Sequence, residues 1–356
     1  MSENKTILIT GGLGYLGSHT IIEILNEEYL KSRNITDRYE IVLVDDLSNS
    51  VEKIHEILEK MTGKKMTFYK IDLCDKPKLE EIFKKHNFYA VIHFAGKKAV
   101  NESVSKPLMY YRNNIGMSIN LIELCIEYKV NNIIFSSSAC VYGNRDDSPK
   151  EDDINLRPIN PYGKTKLYIE NILIDSAKVN PDMRVVILRY CNPVAAHPSG
   201  EIVENPLGIP NNLFPVIQNF IMGKIPSLTI FGKDYPTRDG TCIRDFLHVR
   251  DLAQGHVLAL NCFNKENEKL FNNNYVIYNL GTDKGFSVQE VFDAYEKANN
   301  LKLTYTYGPR RDGDAAISLP NCEKIQKELN WVPTTSLEEM CRDSYNFVKK
   351  HPRGID

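Results

Sequence analysis

The sequence lacks the features that mark secreted, membrane-bound and metal-binding proteins. Its eight cysteines stand singly, without a C-x-x-C pair or the spacing typical of a metal site. No apolar run approaches the roughly 20 residues that a membrane-spanning helix needs. The N-terminal MSENKTILIT lacks the basic start and the small-residue cleavage site of a signal peptide. We therefore expect a cytoplasmic protein with reduced thiols, no metal and no membrane partner.

Charge of one sign is not concentrated anywhere along the chain. The 44 basic and 46 acidic residues give a net charge of −2, and neither sign forms a long block. Proteins that bind nucleic acids or membrane surfaces usually carry such a block or patch. We therefore expect a small-molecule partner and no nucleic acid.

What the sequence does contain is a regular alternation of strand-like and helix-like segments. Runs such as EIVLVD and AVIHFA are rich in β-branched and aromatic residues, and stretches such as HTIIEILNEEYLK have helical character. This order predicts an α/β fold with a doubly wound parallel sheet of Rossmann type. Such a sheet is covered on both faces, which agrees with the nearly continuous apolar strands.

The character of the chain changes after RYCNPVAAHPSG, where proline- and asparagine-rich loops begin. We expect a smaller C-terminal α+β lobe from residue 193. The segment RDFLHVRDLAQGHVLAL resembles a strand followed by a helix, which predicts a brief return to the larger domain. The predicted domains are 1–192 with a returning segment at about 243–262, and a substrate-binding lobe of 193–242 and 263–356.

Three glycines follow the first predicted strand at intervals of three residues. Gly11, Gly14 and Gly17 lie in ILITGGLGYLGSHT, between a strand and a helix. Glycines in this position allow a tight turn and a close approach of a pyrophosphate to backbone N–H groups. The pattern predicts a dinucleotide site, and a merely tight strand-to-helix turn is the alternative.

Acidic residues follow the second and third strands. In IVLVDDLSNS, Asp45 or the adjacent Asp46 can accept hydrogen bonds from both ribose hydroxyls and would repel a 2′-phosphate. This pattern favours NAD over NADP. Asp72, in KIDLCD, is either an adenine contact or a turn residue.

A serine run and a Tyr-x-x-x-Lys pair provide the candidate chemistry. The strand NNIIFSSS ends in three serines at the edge of the sheet where open α/β folds bind ligands. Asn160 can cap a helix and Pro161 can occupy its first turn, so Tyr162 and Lys166 lie on one face at i and i+4. An ammonium group nearby lowers the pKa of a phenol, which makes the phenol a better base. Alone, the pair also fits an ordinary helix surface.

Taken in this order, the four motifs resemble those of the extended short-chain dehydrogenase/reductase family. The likeness continues through VIHFAGKKAVNESVSKPLMYYRNNIG, RYCNPVAAHPSG, GIPNNLFPVI, IFGKDYPTRDGTCIRDFLHVRDLAQGH and YGPRRDGD, and it is greatest to the nucleotide-sugar epimerases of that family. It covers nearly the whole chain. The resemblance implies reversible inversion of UDP-glucose and UDP-galactose at C4, through a transient 4-keto sugar and with tightly bound NAD.

The resemblance also assigns roles to individual residues. The catalytic residues would be Ser138, Tyr162 and Lys166, with the tyrosine as base. Cofactor contacts would come from Gly11, Gly14, Tyr15, Leu16, Gly17, Asp45, Asp46, Leu47, Ser48, Asn49, Ser50, Asp72, Leu73, Phe94, Ala95, Gly96, Lys98, Asn113, Tyr190 and Cys191, together with the three catalytic residues. Substrate contacts would come from Lys98, Ser138, Tyr162, Asn192, Asn212, Leu213, Thr229, Phe231, Arg244, Arg311, Asp314 and Ser318. Paired guanidinium groups suit a diphosphate, although either arginine alone also fits a surface ion pair.

Two residues depart from the pattern of bacterial relatives, and a third is a candidate specificity gate. Cys140 stands where those relatives commonly have threonine, and Cys191 where they have phenylalanine beside the nicotinamide. The smaller Cys191 is expected to weaken cofactor retention. Ser318 matches the position that faces the sugar's 2-substituent, so its small side chain implies acceptance of UDP-GlcNAc and UDP-GalNAc. A one-residue shift would place Ile317 there instead.

Two other functions fit the same fold. A nucleotide-sugar 4,6-dehydratase would need an Asp-Glu pair after the catalytic serine, where this chain has Ala139 and Cys140. A non-catalytic NAD-binding regulator is the second alternative, because a fold does not guarantee an activity. The resemblance further implies a homodimer through a four-helix bundle, built from YYRNNIGMSINLIELCIEYK and KTKLYIENILIDSAK of each subunit.

Overall fold

The structure is a computed structural model that describes residues 4–145, 147–208, 210, 212–311 and 314–355. Its strands are β1 (Lys5–Thr10), β2 (Tyr39–Asp45), β3 (Thr67–Lys70), β4 (Ala90–His93), β5 (Asn132–Ser136), β6 (Arg184–Tyr190), β7 (Asn192–Val194), β8 (Leu228–Phe231), β9 (Ile243–His248), β10 (Tyr275–Leu280), β11 (Gly285–Ser287), β12 (Tyr305–Gly308) and β13 (Ile317–Ser318). Its α-helices are α1 (Tyr15–Ile24), α2 (Glu27–Ser32), α3 (Lys53–Thr62), α4 (Lys76–Lys85), α5 (Val100–Ser105), α6 (Pro107–Tyr110), α7 (Gly116–Glu127), α8 (Pro161–Val179), α9 (Leu213–Ile221), α10 (Val249–Asn261), α11 (Val288–Asn299), α12 (Glu323–Leu329) and α13 (Leu337–Lys350). A π-helical turn covers Tyr111–Ile115, and 3₁₀ turns cover Ala139–Tyr142 and Lys265–Leu270.

The chain divides into two compact units. Unit 1 comprises Met1–Val141, Pro158–Arg189 and Ala253–Tyr278, and unit 2 comprises Tyr142–Arg157, Tyr190–Leu252 and Asn279–Asp356. The predicted returning segment is about 243–262, and the third segment of unit 1 is Ala253–Tyr278. The two overlap at 253–262. The predicted strand followed by a helix at 244–260 is confirmed as β9 and α10.

A seven-stranded sheet forms the centre of unit 1, in the order β10-β6-β5-β4-β1-β2-β3. The pairings that join β1 to β6 are all parallel. Side chains of these strands pack into a core with α4, α7 and α8, represented by Leu8, Val91, Leu121 and Leu173. Burial on both faces requires apolar residues at successive positions, which is why the strands read as continuous runs. The prediction of a doubly wound parallel sheet is confirmed.

Two predicted helices are interrupted in the structure. The expected helix HTIIEILNEEYLK ends with α1, and a new helix, α2, begins where the Asn26 side chain accepts a hydrogen bond from the N–H of Tyr29 at 3.1 Å. The expected helix over YYRNNIGMSINLIELCIEYK contains the π-helical turn Tyr111–Ile115 before α7 begins. π-Turns of this kind often occur at functional sites, and this one contains Asn113.

Unit 2 is built from short strands and helices. β9 pairs with β7, β11 and β13, and β8 pairs in parallel with β12. Its core includes Phe214, Phe246, Phe292 and Tyr295, contributed by α9, β9 and α11. No helix among the described residues is both long enough and apolar enough to cross a membrane.

Candidate functional site

The glycine turn after β1 is closely packed against the neighbouring strands. Gly11 has a positive φ of 68°, and its N–H donates to the carbonyl of Val44 at 2.7 Å. A Cβ at Gly11 would lie 2.8 Å from the backbone nitrogen of Ala95, and a Cβ at Gly17 would lie 2.5 Å from the carbonyl oxygen of Gly11. Both positions therefore require glycine for the fold of this turn itself.

Gly14 differs from the other two glycines. A Cβ there would meet only the carbonyl oxygen of Gly11, at 3.2 Å. Gly14 is also the N-cap of α1, and no side chain among the described residues caps that helix. A helix N-terminus that is neither capped nor covered by packing presents its N–H groups to an anion. Gly14 thus fits a turn that a phosphate group approaches closely.

The structure distinguishes between the two aspartates that follow β2. Asp45 is buried, and its carboxylate accepts hydrogen bonds from the N–H groups of Leu13 and Leu47 and from the Ser50 hydroxyl, at 3.1, 2.9 and 2.8 Å. Burial raises the pKa of Asp45, and these three hydrogen bonds oppose the increase. Asp46 is exposed and accepts a local hydrogen bond from the N–H of Ser48 at 2.8 Å. Asp45 is therefore the carboxylate beside the glycine turn.

The remaining predicted cofactor residues of unit 1 lie on neighbouring loops. Phe94 and Ala95 follow β4, and both of their N–H groups donate to the carbonyl of Thr10 at the end of β1. Asp72, exposed after β3, accepts a hydrogen bond from the N–H of Cys74 at 2.8 Å. Cys74 in turn lies 3.9 Å from the side-chain amide of Asn113. The other members of the set occupy the same segments: Tyr15 and Leu16 begin α1, Leu47 to Ser50 follow β2, Leu73 follows Asp72, and Gly96 and Lys98 follow Ala95.

Helix α8 begins as the sequence predicts. The Asn160 side chain accepts a hydrogen bond from the N–H of Gly163 at 2.8 Å, and Pro161 occupies the first turn. Gly163 packs closely, because a Cβ there would lie 3.0 Å from the carbonyl oxygen of Cys140. This contact places the start of α8 against the 3₁₀ turn that follows the serine run.

The Tyr162 and Lys166 side chains lie together on α8. Lys166 is 5% exposed, and its Nζ donates to the carbonyl of Ser136 at 2.6 Å. The same Nζ lies 5.8 Å from the centre of the Tyr162 ring. Burial lowers the pKa of Lys166 to about 8, although the charges of Glu170 and Cys140 favour its protonated form. The lysine thus carries its charge close to the phenol in a setting with little water to screen it.

Ser138 stands at the same end of the sheet. It follows β5, is 8% exposed, and its hydroxyl accepts a hydrogen bond from the N–H of Cys140 at 3.2 Å. The structure therefore brings the end of β5 and the first turns of α8 together through Lys166. A buried hydroxyl, a phenol and a cationic amine in this arrangement can hold a substrate oxygen and move a proton to or from it.

Two groups of buried polar residues beside these positions are absent from the predicted site residues. Glu170 pairs with Arg189 and accepts a hydrogen bond from the Ser137 hydroxyl. Asn114 binds the backbone N–H and carbonyl of Lys97 at 2.9 and 3.0 Å, and its amide donates to the Thr165 hydroxyl. Asn114 and Arg189 lie inside segments that resemble the family, YYRNNIG and RYCNPVAAHPSG, but nothing in their local sequence distinguishes either of them, or Glu170, from a surface residue.

Unit 2 carries the predicted residues at the end of β6 and directly after it. Tyr190 and Cys191 are buried, and the N–H of Cys191 donates to the carbonyl of Leu280 at 3.2 Å. Asn192 opens β7, where it is paired in register with Phe246 of β9. A Cβ at Gly281 would lie 3.1 Å from the Cys191 sulfur, so Cys191 packs against that glycine.

Three predicted substrate residues of unit 2 converge on β9. Arg244 lies 3.5 Å from the Asp314 carboxylate and is the register partner of Ser318 in the parallel pair of β9 and β13. Paired residues of adjacent strands point to the same face of a sheet, and the next residue along a strand points to the other. Ser318, and not Ile317, therefore shares a face with Arg244.

Further predicted residues of unit 2 form a second group. The Arg311 guanidinium lies 4.2 Å from the centre of the Phe231 ring, and Thr229 lies two residues earlier on β8. Asn212 is the N-cap residue of α9, which Leu213 begins, and its side-chain amide donates to Glu204 at 2.7 Å. No described hydrogen bond joins Asn212 or Leu213 to the residues around Arg244.

The chain is similar to a known protein family, to named proteins and to solved structures. The model of the NAD dependent epimerase/dehydratase family matches residues 7–281. UDP-glucose 4-epimerase 2 of Oryza sativa subsp. japonica is 45% identical over 356 residues, which cover 98% of this chain and 83% of that protein. The crystal structure of UDP-glucose 4-epimerase from Bifidobacterium longum in complex with NAD+ and UDP has a TM-score of 0.90 at 40% identity, covering 99% of this chain and 100% of the other. The UDP-Glc/GlcNAc 4-epimerase from Campylobacter jejuni has a TM-score of 0.79 at 34% identity, covering 98% and 100%.

Proposed function

The chain belongs to the NAD dependent epimerase/dehydratase family, and from this premise we propose that it interconverts UDP-glucose and UDP-galactose. The reaction inverts C4 of the sugar through a transient 4-keto sugar, with NAD held tightly by the protein. The observation that carries the proposal is the buried Lys166 ammonium, bound to the Ser136 carbonyl and 5.8 Å from the Tyr162 ring. That pair supplies the proton transfer that oxidation of a hydroxyl requires.

The residues of unit 1 fit NAD. Gly14 leaves the uncapped N-terminus of α1 open to a pyrophosphate, and Asp45 holds a buried carboxylate where an adenosine ribose would bind. Lys98, Asn113 and the loop that begins at Phe94 would complete the binding residues. When bound, NAD supplies the acceptor and then the donor of the C4 hydride, so it is not consumed.

The chain's own residues carry the proton chemistry. Tyr162 takes the proton from the 4-hydroxyl as the sugar is oxidised and returns a proton to the same oxygen as it is reduced. Ser138 donates a hydrogen bond to that oxygen and helps to transfer its proton between the two poses of the ring. Lys166 stabilises the phenolate form of Tyr162 through its positive charge.

We propose that unit 2 is the nucleotide-sugar-binding lobe and unit 1 the NAD-binding domain. Arg244 and Arg311 would bind the diphosphate, Asp314 the ribose hydroxyls, and Phe231 the base. Arg244 and Asp314 lie 3.5 Å apart, so both side chains can reach one ligand, which supports this assignment. With the UDP group anchored, the 4-keto sugar can turn over and present its opposite face.

The substrate range is proposed to include UDP-GlcNAc and UDP-GalNAc. Ser318 is small and shares a strand face with Arg244, which supports its role beside the sugar. A hydroxymethyl group leaves room for an acetamido substituent that a larger side chain would exclude. The similar protein from Campylobacter jejuni is itself a UDP-Glc/GlcNAc 4-epimerase.

We also propose that the protein is a cytoplasmic homodimer. Ile119 and Ile126 lie two turns apart on α7 and are exposed, as is Leu108 of α6 at 74%. Residues at i and i+7 share one helix face, so these side chains support an apolar surface for a four-helix bundle. The cytoplasmic location rests on the eight cysteines, all of which lie within the described residues and are thiols.

Incubation with UDP-galactose tests the proposed activity. We expect UDP-glucose to form without added NAD, and Tyr162→Phe to lower turnover at least about 100-fold, because general base catalysis contributes about that much. Tyr168→Phe, which removes an exposed phenol from the same helix, is the matched control and should keep full activity.

Two results would favour the alternative functions. A product that has lost water, detected by mass spectrometry, would indicate a 4,6-dehydratase, although Ala139 and Cys140 supply neither the acid nor the base for that step. NAD binding without turnover of any UDP-hexose would indicate a regulator. The ultraviolet spectrum before and after addition of UDP-sugar reports bound nicotinamide and its reduction.

A further inference from the structure

A buried ion pair lies one helical turn beyond Lys166. Glu170 of α8 and Arg189 of β6 are 1% and 2% exposed. The Arg189 guanidinium binds both carboxylate oxygens, with Nε to Oε1 at 3.0 Å and Nη2 to Oε2 at 2.6 Å. Two parallel hydrogen bonds fix the orientation of the carboxylate, and the positive charge of the guanidinium balances its negative charge. Neither residue is among the predicted catalytic, cofactor-binding or substrate-binding residues.

The same carboxylate also holds the serine that precedes Ser138. The Ser137 hydroxyl donates to Oε1 of Glu170, and the Ser137 N–H donates to the carbonyl of Leu188 at 2.9 Å. Ser137 is fully buried, so both its backbone and its side chain are fixed by partners on β6 and α8. Its position leaves the residue no freedom to rotate without losing a buried hydrogen bond.

Two of these contacts bind adjacent residues at the end of β5 to helix α8. The carbonyl of Ser136 accepts from Lys166, and the hydroxyl of Ser137 donates to Glu170, four residues further along α8. Ser138 is the next residue on the strand end. Ser136 and Ser137 are therefore bound to two successive turns of the helix that carries Tyr162, and Ser138 follows them directly.

We propose that Ser137 and Glu170 are positioning residues that hold Ser138 in line with Tyr162 and Lys166. Arg189 fixes Glu170 in the orientation that receives the Ser137 hydroxyl. This inference rests on the proposed function, in which Ser138 and Tyr162 act on the same sugar oxygen. Small displacements of such groups lower the rate of a reaction far more than they lower binding.

Arg189 has a second effect, on the charge around Lys166. The groups that face Lys166 are Tyr162 and Glu170 on its own helix, Cys140 on the 3₁₀ turn and His93 on β4, with Arg189 behind Glu170. Burial lowers the pKa of His93 to about 3, so His93 is neutral. Because Arg189 occupies both oxygens of Glu170, the ammonium of Lys166 binds the Ser136 carbonyl and stays near the phenol.

Ser137→Ala tests the proposal, because it removes the hydroxyl and leaves the Glu170–Arg189 pair in place. We expect kcat for UDP-galactose to fall at least about tenfold while KM stays within about twofold of wild type. The matched control is Ser103→Ala, which removes another fully buried serine whose hydroxyl binds a backbone carbonyl of α5. The control should lose a similar amount of stability in urea and keep the wild-type kcat.

Arg189→Met supplies a second test through the pH profile. Glu170 then becomes free to attract Lys166 away from the phenol, so the acidic limb of the kcat profile should move to higher pH. Should this variant fail to fold, Ser137→Ala alone decides. A kcat for Ser137→Ala within about twofold of Ser103→Ala, with a superimposable pH profile, would overturn the proposal.

One measurement separates this inference from the proposed function. If wild type and Ser103→Ala fail to convert any UDP-hexose, the proposed function is wrong. The geometry can still be tested by the ionisation of Tyr162, taken as the ultraviolet difference between each protein and its Tyr162→Phe variant. Ser137→Ala should move that ionisation to higher pH, because a loosened strand end no longer fixes the Ser136 carbonyl that keeps Lys166 near the phenol. An unchanged ionisation would contradict the positioning role.

Discussion

Ser318 and Arg244 are register partners in the parallel pair of β13 and β9, and the Arg244 guanidinium lies 3.5 Å from the Asp314 carboxylate. This relationship settles which of two adjacent side chains shares a face with the arginine. Ile317 pairs with Ile243 and points to the opposite face. The backbone register therefore favours Ser318 over Ile317 as the residue beside Arg244, and the role of Ser318 as a specificity gate stays a proposal.

Ser318→Tyr should remove the N-acetyl activity selectively. We expect the variant to lose at least about tenfold in kcat/KM for UDP-GalNAc and to keep its UDP-galactose activity within about threefold, because pocket volume discriminates by about 1–3 kcal/mol. Kinetic assays with both substrates check this. Ile317→Tyr is the matched control, since the same phenol on the other face should change neither activity. A wild-type enzyme active on UDP-galactose but silent on UDP-GalNAc would disprove the gate.

The features that could be predicted from the sequence are those with local causes. The parallel sheet follows from the apolar runs, and the start of α8 follows from Asn160 and Pro161, whose cap and first-turn positions the structure confirms. The glycine turn follows from spacing alone. Each of these signals lies within a few residues of the feature that it indicates.

The features that the sequence did not reveal depend on contacts between distant segments. The burial of Asp45 rather than Asp46 depends on Leu13, which is 32 residues away in the chain. Glu170 and Arg189 look like ordinary surface charges until the sheet brings β6 against α8. Such choices depend on tertiary packing, which a local pattern does not encode.

Gly14 and Gly17 should respond differently to substitution by alanine. A Cβ at Gly17 would lie 2.5 Å from a backbone oxygen, so Gly17→Ala should lower the free energy of unfolding of the cofactor-free protein by more than about 1 kcal/mol. Gly14→Ala meets one atom at 3.2 Å and should stay folded, yet weaken NAD binding about tenfold or more because its methyl would face the proposed pyrophosphate site. Urea unfolding and NAD titration check both. Equal losses of stability in the two variants would contradict the assignment of Gly14.

Charges on the exposed face of α7 should abolish the proposed dimer. We expect the double variant Ile119→Lys and Ile126→Lys to be a monomer. Dimer formation would bury two ammonium groups, and removing them from water costs more free energy than burial of the apolar helix faces provides. Light scattering of wild type and variant measures the change. Ile154→Lys, at a residue 90% exposed in a loop, is the control and should remain a dimer. A wild-type protein that is already monomeric at micromolar concentration would refute the four-helix bundle.

Lys166→Met should stabilise the protein while removing its activity. Burial lowers the pKa of Lys166 from 10.5 to about 8, so at neutral pH the folded state holds a charge that the unfolded chain solvates better. The penalty is about 3 kcal/mol at most, and losing the hydrogen bond to Ser136 offsets about 1 kcal/mol of the gain. Unfolding of the cofactor-free protein in urea should therefore show a gain of about 1–2 kcal/mol at neutral pH.

The pH dependence of this gain identifies its cause. Between pH 8 and 10.5 the unfolded lysine keeps its proton and the folded one loses it, so the stability of the wild type rises with pH across this range. The advantage of Lys166→Met should accordingly be full below about pH 8 and disappear as the pH approaches 10.5. Lys164→Met, an exposed neighbour on α8, controls for loss of a lysine and should change the stability at neither pH. A Lys166→Met protein less stable than wild type at neutral pH would show that the surroundings of the ammonium stabilise it by more than burial destabilises it.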